Sequence, residues 1–329
     1  MPPKNQTKNR IQGAAPALAA FGVVAASLAV RDPGSRLAVP FLAVMGLLVT
    51  VALAKLQRDK EAGEFLQAIM IGSAAVRLLL FAGIHQSIGP YVFAPDQSPF
   101  EQLGQALLDS WTSGGPPPER LTDTLQVGFP FLNAMAFLLF GPARAAVPIL
   151  NLFLGCWLAI PVYHTARLVV RGNQYVAKIA AALVLFFPSL MLWSVLNIRE
   201  APAILLAMLA VYFLVSFQHR VRIWDVAGAL VALGLLALFR EYLSALVGIA
   251  GGAGVLMGKS RSPLRSFVVG VGIMLVLAFL MRDTGFGGRL TEEPTLSRLE
   301  VLRQDMALGA GSAYGQGYDV STFRGAATF

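Results

Sequence analysis

The sequence predicts an all-α fold, a polytopic integral membrane helical bundle of about nine or more spans. Three observations predict it. Hydrophobic residues fill 56% of the 329 positions and charged residues only 13%, against about 25% charged in a soluble domain. The apolar residues gather in blocks of 16 to 21, long enough to cross a bilayer core. Lys and Arg fall in alternate connections, as the positive-inside rule requires. That alternation also accounts for the net charge of +8, so no nucleic-acid partner is expected. The single cysteine, Cys156, allows no intramolecular disulfide and belongs to no Cys-based metal motif.

Nine crossings are expected, at 14–30, 37–54, 65–84, 145–163, 176–196, 201–217, 223–239, 242–257 and 266–281. Lys4, Lys8 and Arg10 before the first could mimic a signal peptide. A second apolar block follows almost at once, which favours an uncleaved first span. Between the third and fourth lies the polar loop 86–126. It carries Asp96, and then Ser98, Pro99 and Glu101 spell an S-x-x-E capping box with proline at the first helical position. Phe100, Leu103, Leu107, Leu108 and Trp111 make one apolar stripe, so this helix should lie flat in a membrane interface until Gly114-Gly115-Pro116 stops it.

The block 127–141 is short and holds Pro130 and Asn133. If it does not cross, the later inner turns hold eight cations, from Arg167 to Arg265, and the outer turns hold Arg199, Arg240 and Arg282. If it crosses, those sets change sides. The first arrangement matches Lys4, Lys8, Arg10, Lys55, Arg58 and Lys60 on the earlier inner side. The block is therefore expected to be re-entrant or interfacial on the outer side, or one of a pair of incomplete spans, with any non-crossing backbone covered by protein. The N-terminus is then cytoplasmic, and a multi-pass protein of the cell inner (plasma) membrane is expected.

Two outer turns carry paired charges, Arg199-Glu200 and Arg240-Glu241. A guanidinium can hold a phosphate through two parallel donors, and an adjacent carboxylate can fix it or take a sugar hydroxyl. Arg77 lies deep in the third span, where an ionisable group usually faces a cavity or a partner. The histidines His85, His164 and His219 are scattered, and no nucleotide-binding or zinc motif is present. In GIAGGAG, 248–254, the small residues are spaced for close helix packing. Residues 1–281 thus form a transmembrane domain. Residues 282–329 form a polar, Gly-rich outer tail, with an interfacial helix at 295–308, expected to lead to further spans in a longer chain.

The order of these segments resembles a family. Pro130-Phe131-Leu132-Asn133, Leu150-Asn151 with Gly155, Val162-Tyr163 with Ala166-Arg167, Phe187-Pro188-Ser189 with Trp193-Ser194, and Arg199-Glu200 are similar to motifs of the integral-membrane GT-C glycosyltransferases, especially bacterial relatives of protein O-mannosyltransferases. The resemblance covers about 90–215 well and 224–245 loosely. It implies a transferase that moves a sugar from a polyprenyl-phosphate donor to a protein or glycan acceptor at the outer face, in contact with membrane lipid. It implies Asp96 as the base, with Arg199, Glu200, Arg240, Glu241, Arg77 and Glu101 binding substrate. Gln97 stands where the family often has a second acid. No metal ligand set is assigned, and a divalent cation, if used, would need oxygen ligands. Two other classes fit the same features: a non-catalytic membrane scaffold or assembly protein of this fold, and a lipid-linked-sugar transporter.

Overall fold

The computed structural model describes residues 4–87, 89–95, 97–121, 126–220, 222–257 and 268–272. Among them every regular element is helical: α1 (Lys4–Ala29), α2 (Pro33–Lys55), α3 (Lys60–Ser87), α4 (Pro90–Phe93), α5 (Gln97–Ser113), α6 (Gly128–Phe140), α7 (Ala146–Trp157), α8 (Ala159–Val169), α9 (Gln174–Phe186), α10 (Pro188–Ser194), α11 (Glu200–Arg220), α12 (Ile223–Phe239) and α13 (Glu241–Met257), with a 3-10 turn at Glu119–Leu121. Asp96, most of the expected span 266–281, the tail from 282 and its helix at 295–308 lie outside the described residues.

Among the described residues four helices are long and apolar enough to cross a membrane: α2, α3, α7 running into α8, and α11. A fifth is added if α9 and α10 form one broken span. The expected count of nine is not reached on this criterion. The described apolar part of α1, Ala15–Ala29, and the helices α12 and α13 are shorter. At about 1.5 Å per residue, a 17-residue helix spans some 25 Å of a core about 30 Å thick. Large apolar side chains around the bundle, on short and long helices alike, are nevertheless exposed, among them Phe21, Leu28, Leu48, Leu183, Val231 and Leu246. Exposed apolar faces of this extent suit a lipid surround, not water.

Local chemistry sets the boundaries. Asp32 caps α2, its carboxylate accepting the Ser35 N–H at 2.8 Å with Pro33 in the first turn. The helix therefore starts four residues before the expected span. The expected single span 176–196 is broken between α9 and α10, which bend by 54°. Pro188 brings no N–H and forces Phe187 into extended backbone at φ −68° and ψ 121°. The glycine run of α13 packs as expected, since Gly248 and Gly252 are buried and a Cβ on Gly251 would collide with Leu214 of α11.

Contacts sort the helix ends onto two opposite ends of the bundle. At one end, Asp59 joins the α2–α3 turn to the α8–α9 region, accepting from Arg167 and Gln174, each at 3.1 Å. It also caps α3 through the N–H groups of Glu61 and Ala62. These partners, the Ala62 N–H first, hold its carboxyl below the usual range against its desolvation. At the other end, Ser35 at the start of α2 accepts from the Ala145 N–H before α7, at 3.0 Å.

The short helix α6 begins and finishes at that second end. A Cβ on Gly128 would touch Leu238 at the end of α12, and the Phe140 carbonyl would meet one on Gly34 at the start of α2. Between them, Trp111 of α5 packs edge-on against Phe131 at 5.5 Å. The α5–α6 pair therefore lies across one end of the bundle, as a non-crossing 127–141 requires. The end away from it carries Lys55, Arg58, Lys60, Arg167, Arg171, Lys178, Arg220 and Arg222, and the α6 end Arg31, Arg36, Arg144, Arg199 and Arg240. The first end thus holds the larger share of the described cations, the side on which the positive-inside rule would expect the cytoplasm.

Ser113 and Asn173 lie at opposite ends and are both exposed. In a Cys156→Ala background, an impermeant thiol reagent should label Ser113→Cys on intact cells and Asn173→Cys only after permeabilisation. Labelling of Asn173→Cys from outside would reverse the orientation.

Candidate functional site

The α6 end is built around the turn from Val195 to Arg199, between α10 and α11. Such a turn leaves buried backbone groups without helical partners. Side chains from other helices supply them. Asn151 of α7 donates to the Leu196 carbonyl at 3.0 Å and the Ile198 carbonyl at 2.8 Å. Gln97 of α5 accepts the Asn197 N–H at 2.8 Å. The Asn197 amide donates to Asn133 of α6 at 2.9 Å and to Glu101 at 3.4 Å. Gln97, Asn133, Asn151 and Asn197 are each at most 1% exposed.

Gln97 has a second task. Its amide nitrogen donates to the carbonyls of Pro90 at 2.7 Å and Ala94 at 3.1 Å, so one side chain closes the α4–α5 connection and holds the 195–199 turn. A carboxylate accepts but cannot donate to two carbonyls. The glutamine is thus explained by its partners.

Glu101 does not complete the expected capping box. α5 starts at Gln97, and Ser98 lies inside it, accepting from Gln102 at 3.1 Å. The Glu101 carboxylate instead accepts from Tyr91 at 2.9 Å and from Asn197, with the mostly exposed Arg144 at 3.7 Å. Burial pushes its carboxyl above the usual range, and the Tyr91 and Asn197 donors pull it part of the way back. Burial and the Glu101 contact push the Tyr91 phenol up to about 12, so at neutral pH it stays the donor. Glu101 and Tyr91 line a groove of about 630 Å³ with Pro95, Gln105 and Arg144.

Next to this groove, and sharing Pro95 with it, is a cavity of about 520 Å³. Arg199, Glu200 and Arg240 line it together, with Phe93, Phe100, Trp193 and Tyr242 as aromatic wall. The charge pairs are crossed. Glu200 pairs with Arg240 from the other turn, not with its neighbour Arg199, and Arg240 also donates to Tyr242. Arg199 donates to Gln126 and lies over the Phe100 ring at 5.6 Å. Gln126 in turn donates to Glu241 at 3.3 Å, leaving the second Glu241 oxygen buried without a hydrogen bond. Each arginine is therefore tied to the acid of the opposite turn, one directly and one through Gln126.

Arg77 is placed apart from these two. It is wholly buried, with Nε donating to Ser194 at 2.8 Å and Nη1 to Ser73 and to Cys156 Sγ at 3.6 Å. No carboxylate lies within ion-pair range among the described residues. It lines a void of about 10 Å³ with Glu200, and Trp193, Glu200 and Ile204 separate that void from the cavity above. Arg77 thus sits beneath the cavity, Glu101 in the adjoining groove, and Glu241 behind Gln126. Asp96 lies outside the described residues, between Pro95 and Gln97. Sequence reasoning quoted Asn151 only as part of a motif and gave the amides of Gln126, Asn151 and Asn197 no role of their own. The only signal was the placement of asparagine next to Leu150 and Leu196 in otherwise apolar blocks, where a polar side chain needs a partner.

Residues 127–282 match the model of the dolichyl-phosphate-mannose-protein mannosyltransferase family. The chain is similar to that family from α6 through α13, a stretch that includes Arg199, Glu200, Arg240 and Glu241 and stops short of Asp96 and Glu101. The match supports a multi-pass membrane glycosyltransferase of the GT-C type. No curated protein and no solved structure matches the chain.

Gln97→Glu should lower stability by at least about 2 kcal/mol, because two buried carbonyls lose their donor and face a carboxylate. Ser98→Ala should change it by less than about 0.5 kcal/mol. Thermal unfolding in detergent measures both, and equal midpoints would remove the structural role of the amide.

Proposed function

We propose that the chain transfers a sugar from a polyprenyl-phosphate donor to an acceptor hydroxyl at the outer face of the membrane. The observation that carries this reading is that Arg199, Glu200 and Arg240, from turns far apart in sequence, line one cavity. Its two guanidiniums sit where the turns meet the apolar flank of the bundle, which suits a phosphate carried on a lipid tail. The family match supplies the chemistry, a lipid-linked sugar donor.

The acceptor oxygen attacks the anomeric carbon and the carbon–oxygen bond to the phosphate breaks, its electron pair leaving with the phosphate. Asp96, which follows Pro95 in sequence, takes the acceptor proton. Arg199 and Arg240 stabilise the charge that gathers on the phosphate. Arg240 is preorganised by Glu200 and Arg199 by Gln126 and the Phe100 face, so little ordering remains when the donor binds. Glu101 lies in the adjoining groove, where its raised carboxyl and the Tyr91 hydroxyl suit an uncharged sugar or acceptor. Gln97 gives no support to a non-catalytic scaffold, because its amide has a structural occupation.

Asp96→Asn should abolish transfer from a polyprenyl-phosphate sugar in membranes while the protein still inserts. Turnover at the normal rate would exclude Asp96 as the base.

Arg199→Lys should weaken donor use about ten-fold or more, the scale of one lost charge-assisted hydrogen bond, and Lys55→Gln at the opposite end should not. Because Glu200 holds Arg240, Glu200→Gln and Arg240→Gln should cost less together than their sum, and Glu200→Gln with Arg199→Lys should be nearer additive. Donor affinities that change with neither arginine would leave both as interfacial anchors.

A further inference from the structure

The basic end of the bundle holds a larger cavity, of about 890 Å³. The α2–α3, α8–α9 and α11–α12 turns wall it. Five arginines line it, Arg58, Arg167, Arg171, Arg220 and Arg222, against two acids, Asp59 and Asp225. The Asp59 carboxylate is already engaged by Arg167, Gln174 and the start of α3. None of the other four arginines has a carboxylate within 4.0 Å among the described residues. A positive-inside bias needs cations on this end. It does not require them to converge on one concavity, and four guanidiniums without counter-ions are mutually repulsive there unless an anion joins them.

Two features narrow the occupant. At this end Leu56, Ile223 and Trp224 are each more than 70% exposed, and Leu56 belongs to the lining itself. Such residues flank a charged site where an acyl chain leaves a headgroup, tryptophan being at home at the membrane interface. In addition, Asp225 leaves Oδ2 buried with no hydrogen-bond partner. An occupant that brings a hydroxyl or ammonium donor as well as an anion satisfies it. We propose that this cavity binds a phosphate-bearing headgroup, with the phosphate on Arg171, Arg220 and Arg222 and a hydrogen-bond donor of the ligand on Asp225. The site is separate from the Arg199 cavity and does not depend on the transferase reading.

The purified full-length chain in detergent is offered phosphatidylglycerol, phosphatidic acid, phosphatidylcholine and, separately, inorganic phosphate. Retention is read by native mass spectrometry and stabilisation by thermal unfolding. Phosphatidylglycerol should be retained and phosphatidylcholine not. The Arg171→Gln/Arg220→Gln/Arg222→Gln variant should lower retention at least about ten-fold, and Arg220→Gln alone about five-fold. The single variant keeps the test valid if the triple one is unstable. Asp225→Asn should narrow the preference for phosphatidylglycerol over phosphatidic acid. Stabilisation by inorganic phosphate that the same arginine variants abolish would support the site with a soluble phosphate as its source. Equal retention of phosphatidylglycerol by the native chain and the arginine variants, with no phosphate response in either, would overturn the proposal.

Discussion

The geometry of the α6 end rests on hydrogen bonds from buried side-chain amides to a turn that has no helical partners of its own. The chain between α10 and α11 must reverse direction within the bundle, and each buried carbonyl left unpaired there would cost about 1–3 kcal/mol. Asn151 meets that demand at two carbonyls, Gln97 takes the Asn197 N–H, and the Asn197 side chain is held in turn by Asn133. Once they do, Arg199 and Glu200 have fixed positions, because they follow the clamped carbonyls directly. The α5–α6 pair is drawn onto the same end, since Gln97 and Asn133 must reach the turn. A Cβ on Gly104 would approach Asn133 Cβ to 2.5 Å, so α5 and α6 pack closely enough to present both.

Electrostatics completes what the amides begin. Arg240 and Glu200 are each about a fifth exposed, between the open surface, where an ion pair contributes little, and the deep interior, where desolvation can outweigh it. The crossed arrangement, with each arginine tied to the acid of the other turn, links the α10–α11 and α12–α13 connections. Neighbouring pairs would have neutralised each turn locally and left the two free to separate. Arg77 follows a different rule. It has hydroxyl and thiol partners in place of a carboxylate, and its burial beneath Glu200 puts a positive charge under the cavity floor.

Much of this was legible in the sequence, for identifiable reasons. Block length and charge alternation gave the helical bundle and the non-crossing 127–141, because hydrophobic thickness and the placement of Lys and Arg act residue by residue. Arg199, Glu200 and Arg240 stood out because charges between apolar blocks are rare. Their crossed pairing was not legible, since partners 40 positions apart are set by packing. The break at Pro188 was visible as a proline and outweighed in the reading by the length of the apolar run around it. Ser98 and Glu101 spelled a cap, but Tyr91 and Asn197 offered the carboxylate better partners than a helix terminus did. Gln97 looked like a lost acid because a motif compares letters, whereas its amide donates to two carbonyls and accepts one N–H, and only the folded chain brings these three groups to it. The basic cavity was missed for the same reason: its arginines were counted as a statistical bias for sidedness, and counting does not reveal convergence.

The choice of amides for the clamp has a bearing on the conditions under which the end can work. Asparagine and glutamine do not titrate, so the hydrogen bonds that shape the Val195–Arg199 turn keep their donors and acceptors across acid and alkaline surroundings alike. A clamp built from carboxylates would lose acceptors on protonation, and the turn would loosen whenever its surroundings acidified. Here Glu101 is the titratable member, and it sits at the edge of the network. Proton-dependent behaviour is thereby confined to the groove, while the backbone that positions the arginines is insulated from it.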